Sequence, residues 1–122
     1  MVMIFANEHA LNYLLEHGIV YSYRKYHKKT PDGVRPQTGK DWITDRRTGK
    51  KIADVFITVM EPMDALNMGR VLSKYVRESG FYTGHGRVDD AVARWAKVIN
   101  GLNPDSPTAG WIYKVEIREE KP

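Results

Sequence analysis

The chain has 122 residues, 42% of them hydrophobic and 28% charged, with a formal net charge of +4. That length fits one domain over residues 1–122 with a core of its own, and the ordinary apolar-to-charged balance excludes disordered and collagen-like classes. Cysteine is absent, which excludes disulfides, thiolate zinc sites and cysteine nucleophiles and agrees with a reducing compartment.

The first apolar run, residues 1–6, is too short for a signal peptide and is followed at once by Glu8. No later run approaches a membrane span, so the expectation is a cytoplasmic protein with no membrane partner. Residues 1–5 predict a short buried strand. Asn7 is a candidate N-cap, and Glu8 suits the positive end of the helix that follows. Ala10, Leu11, Leu14 and Leu15 repeat at helical spacing, and Gly18 supplies the stop. Residues 19–26 predict a strand with Ile19, Tyr21 and Tyr23 on one face and Val20, Ser22 and Arg24 on the other. From 27 to 41 the apolar periodicity is lost. Pro31, Gly33, Pro36 and Gly39 predict a long polar loop there, and long loops in compact domains tend to carry function.

Strands at 42–44 and 51–60 are joined by a hairpin turn at 45–49, and the second is apolar on both faces, as a central strand would be. Pro62 is expected to break the sheet, Asp64 to cap a helix reaching about residue 79, and Gly80 to end it. A third helix opens at Asp89 or Asp90, carries the stripe Val92, Trp95, Ala96 and Ile99, and closes at Gly101. In the clearest strand, Trp111, Tyr113, Val115 and Ile117 alternate with Ile112, Lys114, Glu116 and Arg118. The order β-α-β-β-β-α-α-β does not alternate as a doubly wound sheet does. It predicts an α+β fold with a mixed, mostly antiparallel sheet of about five strands and three helices.

Charge is concentrated. Ten of the nineteen basic residues, but only three acids, lie within residues 24–51, which therefore carry +7. Lys25, Lys28, Lys29, Arg35, Lys40, Arg46 and Arg47 belong to this stretch, and a footprint of that kind points to a polyanion, since each phosphate contact releases condensed counterions. Tyr21, Tyr23 and Trp42 lie in or beside it and Tyr82 follows later in the chain, offering flat faces for an unstacked nucleobase. The competing reading is a solvated basic loop.

Other motifs carry less. Residues 33–41 resemble a phosphate-binding loop in outline only. Five residues separate the glycines where four are needed, Asp41 stands at the magnesium-binding hydroxyl position, and Pro36 removes an amide donor. His9 and His17 are two turns apart on one helix, about 12 Å along its axis, too far for one metal. No metal or cofactor is expected.

One constellation is more specific. His17, Gly18, Ile19, Val20, Tyr21, Ser22, Tyr23 and Arg24 join a helix end to a strand that sets a hydroxyl and a guanidinium on one face. Here the chain resembles the ASCH domains of the PUA-like superfamily, which also includes the YTH and EVE domains. Their signature G-x-K-x-x-[TS]-x-R aligns with Ser22 and Arg24, but His17 holds the glycine position and Ile19 the lysine position. The resemblance extends in order through the strand at 50–60, the helix at 72–81 and the closing strand at 110–117. It implies a PUA-like pseudo-barrel with an RNA- or nucleobase-binding cleft beside Ser22 and Arg24. It also implies an alternative, an amidohydrolase acting on nucleosides or RNA, with Ser22 and Glu78 standing for the relatives' threonine and glutamate. Lys25 is the nearest substitute for the missing amine, although alternation turns it to the other face. A hydroxyl without an adjacent base is a poor nucleophile. RNA or nucleotide binding without catalysis is therefore the first expectation, the hydrolase the second and a protein-interaction module the third.

Overall fold

The computed structural model describes residues 2–5, 8–24, 28–30, 33–35, 38–45, 49–64, 66–82, 84, 86–102 and 109–118. Along these run β1 (Val2–Ile4), α1 (Glu8–His17), β2 (Ile19–Arg24), β3 (Lys28–Thr30), β4 (Gly33–Arg35), β5 (Gly39–Thr44) and β6 (Ala53–Asp64). They are followed by α2 (Met68–Tyr75), a 3-10 turn (Val76–Glu78), α3 (Val88–Leu102) and β7 (Ala109–Ile117). The main sheet has the order β1-β5-β6-β7-β2; β5, β6, β7 and β2 are antiparallel neighbours, and β1 joins β5 in parallel. The α+β class, the mostly antiparallel mixed sheet and the three helices agree with the expectation.

Several boundaries differ. Part of the region expected as loop pairs as a second sheet, the hairpin of β3 and β4, in which Lys28 is opposite Arg35 and Lys29 opposite Val34. Pro62 does not end its strand; β6 continues past it to Asp64, paired with β7. The last β6 residue paired with β5 is Ile57, so Pro62 lies where, among the described residues, one side of the strand has no paired neighbour and a missing N–H is tolerated. Asp64 does not cap a helix. Its Oδ1 accepts N–H bonds from Leu66 and Asn67 at 2.9 and 3.1 Å, and its own N–H donates to Asn67 Oδ1 at 2.8 Å, so these residues make a local turn and α2 starts later. The predicted cap Asn7 lies outside the described residues.

The sheet buries both faces, and a single residue decides which side chains go where. On one face Phe5, Val20, Ile43, Val55, Ile57, Tyr113 and Val115 pack with Ala10 and Leu14 of α1. On the other, Tyr23, Met63 and Ile112 pack with Val71, Leu72 and Tyr75 of α2, Val76, Phe81, and Ala91, Trp95 and Ile99 of α3. Strand β6 serves both because its register slips between Val59 and Glu61: Val59 is opposite Tyr113 and Glu61 opposite Ile112. The extra residue, Met60, shifts the alternation by one, so the odd-numbered side chains leave the α1 face and Met63 enters the α2–α3 core.

Gly80 fixes how closely α1 approaches the helical layer. Its φ is +89°, and a Cβ there would collide with the His9 carbonyl of α1. No helix among the described residues is long and apolar enough to cross a membrane.

Candidate functional site

Strand register assembles the site on the α1 face. Ser22 is opposite Tyr113 and Arg24 opposite Trp111, so all four side chains share the face that carries Val20 and Val115. Ser22 is buried at 7% exposure, and Trp111 is half-buried against the α1-face core. Arg24 is half-buried at the end of β2. Its guanidinium carbon lies 4.9 Å from the centroid of the Phe5 ring, and Nη1 donates to the Tyr23 carbonyl at 3.4 Å. Loss of solvation lowers the Arg24 pKa to about 10, with Tyr113 acting in the opposite sense. Arg24 therefore stays charged at neutral pH in surroundings that favour its neutral form.

The contact between Arg24 and Phe5 is informative about shape, because β1 and β2 are the two edges of the sheet. Five strands laid flat would separate those edges by about 19 Å. Following the paired registers from β1 through β5, β6 and β7, Phe5 falls level with position 14 on the line of β2, ten residues below Arg24. A guanidinium and a ring at the ends of two long side chains meet at 4.9 Å across that span when the sheet is coiled. Arg24, on one edge strand, and Phe5, just beyond the other, form a seam here.

The other expected site residues are distributed widely. Tyr21 and Tyr23 face the helices, away from Ser22 and Arg24: Tyr21 packs on Tyr75, ring centroids 4.8 Å apart, and Tyr23 is buried with Ile112 and Met63. Tyr82 packs against that same core. These three do not wall the site, and the alternation that unites Ser22 with Arg24 is the reason. Trp42 alternates with Asp41 and Ile43, so it shares with Lys40 the sheet face opposite Ile43. Lys40 and Lys50 are exposed, while Lys51 pairs with Asp54 at 3.2 Å. Lys25, Arg46 and Arg47 lie outside the described residues, and of Lys28, Lys29 and Arg35 only the backbone hairpin is described.

Glu78 is exposed on the 3-10 turn, where its charge helps burial raise the Tyr13 pKa. No hydrogen bond joins it to Ser22 among the described residues. No group of three or more His, Asp or Glu side chains suited to a metal occurs among the described residues.

Sequence reasoning missed Phe5, Trp111 and Tyr113 as partners of Ser22 and Arg24. Alternation places Trp111 and Tyr113 on one face of their strand, but only the pairing of β7 with β2 says which side chains they meet. A second polar cluster also escaped notice. Glu61 accepts hydrogen bonds from Lys74 Nζ at 2.9 Å and Tyr75 Oη–H at 2.7 Å, with Arg70 3.8 Å away. Those bonds, Lys74's first, hold its carboxyl below the usual range, while burial and then Glu61 push Tyr75 up to about 12. This cluster ties β6 to α2. No family model, curated protein or solved structure matches the chain.

Proposed function

We propose that the chain is an RNA-binding domain built as a PUA-like pseudo-barrel, which receives a nucleobase or phosphate at the seam around Arg24. The observation that carries the reading is the Arg24 guanidinium: charged, half-buried, beside Ser22 and Trp111, at the edge of a largely apolar face that also carries the buried acid Asp41. Groups held in surroundings that disfavour their charge cluster at functional sites. A guanidinium offers a planar fork to phosphate oxygens or to the acceptor edge of a guanine. Ser22 adds a hydroxyl that donates or accepts, and Trp111 presents a half-exposed ring for stacking. The ten-residue offset between Phe5 and Arg24 supports the barrel part of the reading, because closing a sheet demands such a stagger. The +7 segment at 24–51 begins at Arg24 itself, so a strand bound at the seam would run onto the basic hairpin of β3 and β4.

The test is fluorescence-anisotropy titration of short single-stranded RNAs at several salt concentrations. Removing four bases in K28Q/K29Q/R46Q/R47Q should flatten the salt dependence by about one unit for each lost phosphate contact, weakening all sequences alike. R24K keeps the charge but loses the fork, and should erase roughly 1–3 kcal/mol of discrimination between the preferred RNA and others. If the quadruple variant binds as the unaltered protein does, or R24K discriminates equally well, the proposal fails.

A further inference from the structure

A cavity of about 270 Å³ opens where α1, the turn at 79–81 and α3 meet. Its lining is His9, Gly80, Phe81, Arg94, Lys97 and Val98. Two features define its chemistry. The walls at Phe81, Gly80 and Val98 are apolar, and the only full charges in the lining, Arg94 and Lys97, are both positive. Arg94, Lys97 and Val98 follow at i, i+3 and i+4, which sets all three on one stripe of α3.

We infer that this cavity binds a small aromatic anion: a single ring seated against Phe81 and Val98, with a phosphate or carboxylate held by Arg94 and Lys97. The site is independent of the RNA reading and of the Arg24 seam. Its walls are preformed. Phe81 stacks on Trp95 with ring centroids 6.1 Å apart and planes 15° from parallel, and its N–H donates to Ser79 Oγ at 3.1 Å. Ser79 Oγ–H in turn donates to the Val76 carbonyl at 2.6 Å, and Gly80 is pressed against the α1 backbone. A pocket that need not reorganise loses less affinity to ordering on binding. Arg94 directs Nη2 to the Phe81 carbonyl at 3.0 Å, which orients the guanidinium at the cavity and leaves its other donors for a ligand. Size sets the ligand class. Typical small-molecule sites span roughly 300–1,000 Å³, so this one, just under that range, suits one ring and its head group and not a long chain.

The probe is phenyl phosphate, followed by two-dimensional amide NMR of the full chain, with inorganic phosphate and phenol titrated separately as its two halves. Phenyl phosphate should shift the Gly80, Phe81 and Val98 amides along saturable curves, each half binding at least tenfold more weakly. K97E, which alters only an exposed lysine, should weaken phenyl phosphate at least tenfold with the spectrum otherwise unchanged; R94Q should do the same. The inference is overturned if the shifts do not saturate or map elsewhere. It is equally overturned if inorganic phosphate alone binds as well, or if K97E binds like the unaltered protein.

Discussion

Replacing Gly80 with alanine should cost about 3 kcal/mol, and the same change at Gly18 about 1 kcal/mol, although both glycines have positive φ. The two sites separate backbone conformation from packing. Gly18 has φ of +78° with nothing within 4 Å of a built Cβ, so alanine there meets only the left-handed conformational penalty, on the order of 1–2 kcal/mol. At Gly80 a Cβ would also sit 2.8 Å from the His9 carbonyl carbon and 3.0 Å from the Ala10 Cα, besides striking the carbonyl oxygen. These are backbone atoms of a helix and cannot rotate aside. Helix α1 must withdraw from the turn, loosening Ala10 and Phe81, both buried. Overpacking of that kind costs typically 1–3 kcal/mol beyond the conformational term. In a domain of this size G80A should melt roughly 10–15 °C below the unaltered protein and G18A roughly 4 °C below it. Urea denaturation of both variants gives the free energies directly. If G80A falls within about 1 kcal/mol of G18A, the tight seat of α1 on this turn is wrong.

The Glu61 cluster predicts an acid-limited stability. Its folded-state pKa is depressed, so the unfolded chain binds more protons in the acidic range, and the stabilisation present above the unfolded carboxylate value of about 4.3 is lost as pH falls through the folded value. Urea midpoints between pH 3 and 6 should therefore be flatter in E61Q. Y75F removes one of Glu61's donors, costs about 1 kcal/mol, and raises the Glu61 titration midpoint seen by carboxyl-carbon NMR. Met60 is the extra residue of the bulge, so deleting it leaves Glu61 opposite Ile112 and Met63 on the α2–α3 side of a regular strand. That variant should keep a sharp thermal transition in its circular dichroism, and loss of cooperative unfolding would refute the role assigned to the bulge.

Much of this architecture is legible in the sequence because period and punctuation agree. Leu14 and Gly18 mark a helix and its end, and Tyr113 and Val115 alternate into a core as their strand predicts. Failures occur where geometry depends on residues distant in the chain. The pairs Lys28–Arg35 and Lys29–Val34 form strands of only three residues, too short for any periodicity among Pro31, Gly33 and Pro36. Pro62 reads as a breaker because sequence does not reveal that the pairing of β6 with β5 ends at Ile57, opposite Gly39. The aromatic walls fail for a different reason. Alternation already separates Tyr21 and Tyr23 from Ser22 and Arg24, and chain proximity alone suggested otherwise.

Arg24 serves the fold and the proposed function through the same atoms. Its pKa, lowered from 12.5 to about 10, corresponds to on the order of 3 kcal/mol by which the surroundings disfavour the charge. A cation over one aromatic ring recovers roughly 0.5–2 kcal/mol, so the Phe5 contact offsets part of this. On the proposed function, an anion arriving beside this guanidinium would further favour its charged form. An RNA phosphate or a guanine edge would be favoured there over the same group meeting a solvated surface lysine, whose attraction water and salt already screen. On the proposed function, the basic segment that starts at Arg24 would divide the work: the charges further along it, exposed at Lys40 and Lys50, would gather a polyanion from solution, and half-buried Arg24 would distinguish what has been gathered.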